Sequence, residues 1–85
     1  MKNLRLSVHS QEHLALRTLL INRRLELNLS QRALATKLDV VYSFVGKVET
    51  GDRRLDIFEL SVYCQALELD IQDLIVQLKK QNYIK

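Results

Sequence analysis

Apolar positions recur along this chain at steps of three and four, broken four times by short polar stretches. That is the period of helices with one buried face. The first run covers 11–27, with Leu16, Leu19, Leu20 and Arg23 or Arg24 at helical spacing. Ser10 stands where a hydroxyl can cap the first turn. Glu12 falls in that turn, where the helix dipole favours an acid. Asn28 can take the left-handed conformation that closes a helix. A second helix is predicted over 31–38, capped by Ser30, with Ala33, Leu34, Ala35 and Leu38 inward. The two alanines let another helix approach closely. Asp39 fills the following turn with a positive φ, which Asp tolerates better than most residues. Val40 is expected to plug that turn into the core.

The third predicted helix is 41–50, with Val45 and Val48 inward and Gly51 ending it. Asp56 followed by Glu59 reads as a capping box. It opens a fourth helix over 57–67, with Leu60, Tyr63, Cys64 and Leu67 on one face. Asp70 with Asp73 opens a fifth over 71–80, with Ile71, Leu74, Ile75 and Leu78 on its apolar face. At the front, Leu4, Leu6 and Val8 alternate with Arg5 and Ser7, which is a strand period too short to stand alone. Residues 1–9 are therefore expected to be an arm, extended or disordered. It would pair with a partner chain or reach nucleic acid through Lys2 and Arg5. Residues 81–85 are expected to be a frayed tail, leaving 10–80 as the folded domain.

Composition sharpens this picture. With 85 residues, no proline, two glycines, 47% hydrophobic and 27% charged residues, the chain reads as one folded all-α domain. The single cysteine excludes an internal disulfide or a Cys-rich zinc site, so a reduced, cytoplasmic setting is the default. No apolar run approaches the roughly 20 residues of a membrane span. The first residues lack the apolar segment of a signal peptide, and no sensor domain is expected. The net charge is +3, but unevenly placed: residues 1–54 hold ten Lys/Arg against five acids, and residues 55–78 hold five acids and no Lys or Arg. One face can therefore meet a polyanion.

The outward positions of the third helix are Tyr42, Ser43, Gly46 and Lys47, small or hydrogen-bonding groups with one cation. That is a surface suited to something polar and anionic. Other chemistry is thin. His9 and His13 are four apart but do not make a convincing metal site and read as solvated. Cys64 reads as a small core residue. There is no glycine-rich phosphate loop and no nucleophile, base and oxyanion set. Neither enzymatic activity nor a metal or cofactor is expected.

Leu29-Ser30-Gln31, Leu34-Ala35 and Glu49-Thr50-Gly51 share their spacing with a known pattern, as do Glu59-Leu60, Ala66-Leu67 and Asp73-Leu74. From about Leu14 to Leu78 the chain resembles the lambda/Cro repressor-like, or XRE, helix-turn-helix family. The resemblance implies a five-helix lambda repressor-like DNA-binding domain, with helices two and three as the helix-turn-helix. It implies a homodimeric repressor on a palindromic operator. Two reading helices about 34 Å apart would supply specificity that one cannot. Leu25, Leu27, Val76, Tyr83 and Ile84 are more apolar surface than one small core needs, so the dimer contact is expected on the fifth helix and tail. Family members also include restriction–modification controllers and antitoxins. The alternative is therefore a protein-interaction module, such as the antitoxin partner of a toxin.

The family pattern also implies residue roles. Gln31 would bind phosphate and buttress the reading helix. Arg24 and Glu49 would form a structural ion pair. Tyr42, Ser43 and Lys47 would lie in the groove, Lys47 donating to guanine. Val41 would offer its amide to phosphate or pack on a thymine methyl. One of Arg53 and Arg54 would contact phosphate, the other bridging to Asp56 or Glu59. Phe44 departs from the usual small residue and would touch the sugar-phosphate wall or pack inward. Gly46 is unusual in mid-helix, costing about 1 kcal/mol against Ala; a close approach of DNA would explain it. Asp39 and Glu68 replace the usual glycines of two turns, which suggests strain or a shifted turn.

Overall fold

Five helices account for the regular structure of the computed structural model, which describes residues 2–85. They are α1 (Gln11–Glu26), α2 (Gln31–Leu38), α3 (Ser43–Thr50), α4 (Ile57–Ala66) and α5 (Ile71–Lys80). Met1, the first residue of the expected arm, lies outside the described residues. Four helices start on a side-chain cap. Ser10 accepts from the His13 amide at 3.2 Å and Ser30 from the Ala33 amide at 3.0 Å. Asp56 and Glu59 exchange bonds at 2.8 and 2.9 Å, completing the capping box. Asp70 accepts from the Gln72 amide at 2.7 Å, so Asp73 is not its reciprocal partner.

The helix ends share one device. A left-handed residue follows each of them: Asn28 (φ 58°), Asp39 (φ 57°), Gly51 (φ 90°), Glu68 (φ 53°) and Asn82 (φ 64°). Asp39 and Glu68 thus take the conformation a glycine would take there. The departure from glycine therefore places a side chain in the left-handed region at both turns. At Glu68 a compensating contact exists: Arg23 of α1 donates to the carbonyls of Leu67 (2.9 Å) and Glu68 (3.1 Å). Asn82 lets the Tyr83 amide return to the Leu78 carbonyl at 2.9 Å, so the tail begins as an ordered helix stop and not as frayed chain.

Inward faces meet in one core. Leu20, Leu34, Ala35, Val45, Val48, Tyr63, Cys64, Leu67 and Leu74 are buried together, with Leu16, Leu19, Leu27, Leu38, Phe44 and Leu60 packed against them. Leu27 is therefore core padding and not spare surface. The α2 helix packs on α3 and α4, and α1 closes over α3 and α5. Val40 does not plug the turn. Left-handed Asp39 turns the chain so that the Val40 amide bonds back to the Ala35 carbonyl (3.1 Å), and the Val40 side chain stays at the surface.

The arm forms no strand among the described residues. It is instead tied to the body by two arginines. Arg17 donates to the Val8 carbonyl at 2.5 Å, and Arg54 donates to the Leu6 carbonyl. Lys2, Leu4 and Arg5 beyond that tie are exposed. No helix among the described residues is long and apolar enough to cross a membrane.

Candidate nucleic-acid interface

The turn from Asp39 to Tyr42 delivers the chain from α2 into α3. Helix α3 starts at Ser43, two residues later than its apolar pattern suggests, because Val41 and Tyr42 still belong to the turn. The Phe44 amide bonds back to the Val41 carbonyl at 3.0 Å. Val41 and Tyr42 are 72% and 67% exposed, so both stand at the mouth of the helix. Alone among the five helices, α3 has no side chain capping its amino end. No side chain competes with an external acceptor at that end, although the Phe44 amide is already held by Val41.

Along α3, Val45 and Val48 are buried and Phe44 is half-buried against the core. The opposite arc carries Ser43, Lys47 and Thr50, all exposed, with half-buried Gly46 at its edge. A Cβ on Gly46 would meet only the Gln31 Oε1 atom, at an ordinary 3.5 Å. The fold therefore does not require glycine there. Gly51 differs: it is left-handed, and a Cβ would come within 3.0 Å of the Arg17 guanidinium.

The carboxyl end of α3 is anchored. Arg24 donates to both Glu49 oxygens, at 2.7 and 3.1 Å, and to the Leu29 carbonyl at 2.8 Å. Gln31 donates to the same carboxylate at 2.8 Å. The pair is nearly buried, with the two side chains 11% and 8% exposed. A bidentate pair of this kind fixes angle as well as distance. It holds α3 against α1 and the start of α2. Gln31 itself stays exposed, so its buttressing contact leaves it within reach of a ligand.

The two loop arginines divide their work. Arg53 bridges to Glu59 and lies over the Phe44 ring at 5.0 Å, while its side chain stays 42% exposed. Its amide bonds the Lys47 carbonyl at 3.1 Å, which seats the loop beside the exposed arc. Arg54 turns the other way, to the arm and to His13 Nε2 at 3.1 Å. His13 is consequently not a solvated histidine. Burial first, then Arg54 and Arg17, hold its pKa below the ordinary 6.5 against the opposing pull of Glu12. His9 is exposed, and no group of three metal-ligating side chains exists among the described residues. Cys64 is buried, and burial followed by Asp70 pushes its thiol up to about 11.

Two residues of this surface escaped sequence reading. Thr50 shares the exposed arc with Ser43, seven positions earlier, a spacing that could have revealed it. Arg32 lies over the Tyr42 ring at 5.3 Å, and nothing in a linear reading signals a contact across the turn.

The Helix-turn-helix family model matches residues 20–74, which span α2, the turn and α3 together with their supports. The chain belongs to that family. It resembles an XRE-family like protein from Pseudomonas syringae pv. tomato str. DC3000, at 32% identity and a TM-score of 0.81 over 87% of this chain and 90% of that one. It is also similar to a mutant of the restriction-modification controller protein C.Esp1396I, at 25% identity and a TM-score of 0.75 over 85% and 91% of the two chains. Among curated proteins, none matches significantly. As an XRE-family helix-turn-helix protein the chain is a DNA-binding transcription regulator.

Proposed function

We propose that this regulator is a non-enzymatic, cytoplasmic, homodimeric repressor that binds a palindromic operator, with α3 of each protomer in the major groove. The observation that carries this is the exposed arc of α3. It is uncapped at its leading end, rich in donors and anchored at its far end by Arg24, Glu49 and Gln31. A groove about 12 Å wide accepts such a helix with its amino end toward the bases. In this reading Ser43 and Lys47 contact base edges, with Thr50 behind them. Tyr42, backed by Arg32, and the Val41 amide meet the groove wall. Gln31 and Arg53 contact phosphate. Gly46 lets the duplex approach the helix backbone. The restriction-modification controller among the similar structures supports a regulatory role.

The dimer contact is part of the proposal. Val76 and Ile84 support α5 and the tail as contributors, at 45% and 39% exposure. Ile57, Phe58 and Val62 of α4 are more exposed, at 57%, 79% and 55%. They share an arc with Ser61 and Gln65 that carries no charge, so two copies can meet across it without like-charge contact. We therefore add α4 to the interface.

The same arc favours a second reading, in which the chain is a protein-interaction module such as an antitoxin and DNA binding is secondary. Selection on random duplex DNA, followed by a salt titration, tests the first reading. An enriched palindrome, with affinity falling about 0.9 log unit per neutralised phosphate per log unit of salt, supports it. No preference for any duplex at low salt overturns it.

A further inference from the structure

Two guanidiniums and an imidazole converge beneath the arm. Arg17 and His13 come from α1 and Arg54 from the loop after α3. Their donors end on backbone carbonyls: Arg17 on Val8 and Arg54 on Leu6, with Arg54 also on His13 Nε2. The described ion pairs join Arg23 to Glu26, Arg24 to Glu49 and Arg53 to Glu59, and none includes Arg17 or Arg54. Arg17 Nε is buried without a partner. Two guanidiniums held only by neutral acceptors are poorly compensated, because a charged acceptor binds about twice as strongly as a neutral one. The arm that supplies those carbonyls is held weakly otherwise, with Leu4 82% and Leu6 42% exposed.

We propose that Arg17, His13 and Arg54 form a phosphate-binding site that residues 6–8 of the arm cover. The arm carbonyls stand where phosphate oxygens would sit, and a phosphate group displaces them. The site adjoins the proposed DNA-reading surface. The Arg17 guanidinium touches the Gly51 position that ends α3, and the loop bearing Arg54 is bonded to Lys47. A backbone phosphate of a bound duplex is one source of the ligand, and that part rests on the DNA reading. A free phosphate or phosphorylated small molecule is the other source and does not depend on it.

His13 gives the site a pH dependence. Arg17 and Glu12 face it from α1 and Arg54 from the loop, while Tyr83 and Ile84 of the tail line the adjoining cleft with Leu78 of α5. In the covered state its pKa lies below 6.5. A bound phosphate raises it, so binding takes up a proton. Affinity is then greatest at low pH and falls as pH rises through the bound-state pKa.

The test uses the full chain, the same chain lacking residues 2–7, and the Arg54→Gln and His13→Gln variants. Folding of each is checked by helical circular dichroism. Histidine ring resonances are followed during titration with inorganic phosphate, then with duplex DNA at pH 5.5 and 7.5. Phosphate should move the His13 signals saturably. Arm deletion should tighten binding by about tenfold or more, as expected for losing one competing bond to a charged donor. Arg54→Gln should abolish the response. With duplex, Arg54→Gln should lower the salt slope by about 0.9, and His13→Gln should remove the pH dependence. A phosphate response without any duplex response supports the site and assigns it to a free anion. His13 signals that ignore both ligands, in the intact and arm-deleted chains alike, overturn the site. If duplex binding persists in that case, the DNA reading stands alone.

Discussion

Glu49 accepts from three donors at once, two on Arg24 and one on Gln31, and this decides how much it matters. Removing the carboxylate leaves the Arg24 guanidinium nearly buried without its counter-charge, a loss of about 3–5 kcal/mol. Total stability for a domain is about 5–15 kcal/mol. Glu49→Ala should therefore bring a urea melt close to unfolding in plain buffer. Gly46 should behave oppositely. A Cβ fits there, so Gly46→Ala should stabilise the free protein by about 1 kcal/mol while weakening duplex binding. A melt and a binding isotherm on one preparation check both halves. Unchanged affinity would remove Gly46 from the reading face. Alkaline pH should also weaken the fold. The Cys64 thiol titrates near its ordinary 9.0 when unfolded and at about 11 when folded. The unfolded chain therefore loses its proton first, and stability falls as pH rises through that window. Tyr63 acts in the same direction, its phenol raised by burial and then by Glu49. Denaturant midpoints at pH 8 and 10 measure the loss.

Among the elements, the end of α4 holds the clearest local conflict. Glu68 is left-handed at φ 53°, a conformation that disfavours a long side chain. Glu68→Gly should raise stability by about 0.5–1 kcal/mol, the strain relieved less the entropy glycine adds to the unfolded chain. Calorimetric melting would detect it, and a lowered midpoint would show that Arg23 already offsets the strain. Helix starts and stops were legible in the sequence because capping is local. Ser30, the Asp56–Glu59 box, Asn28 and Gly51 each act within a few residues of where they stand. The start of α3 was not, since Val41 and Tyr42 suit a helix by type and the turn at Asp39 decides otherwise. Arg24 and Glu49 were readable through the family pattern. The roles of Arg54 and His13 were not, because their partners are backbone carbonyls and side chains brought together from distant parts of the chain.

At the scale of the whole molecule, charge is unevenly distributed along the chain. The acidic stretch 55–78 carries the uncharged arc of α4, basic residues dominate 1–54, and Arg53 bridges the two at Glu59. Phe58→Glu puts a charge at the centre of that arc. It should leave helix content unchanged and convert a dimer to a monomer in sedimentation. On a palindromic duplex, apparent affinity should then fall and binding should lose its dependence on protein concentration squared. A wild-type chain already monomeric at high concentration would direct the arc to a different protein and favour the interaction-module reading.

Helix α3 is fastened at one end only, by Glu49, and opens without a cap at the other. Its backbone should therefore exchange hydrogen with solvent along a gradient. The amides of Ser43 to Val45 should open by local fraying, while those of Val48 to Thr50 open only when the domain unfolds. A duplex seated on the leading turn should slow the first set and leave the second untouched. The reading helix would then complete its own first turn on its target, so part of its selectivity would lie in how readily each site permits that ordering.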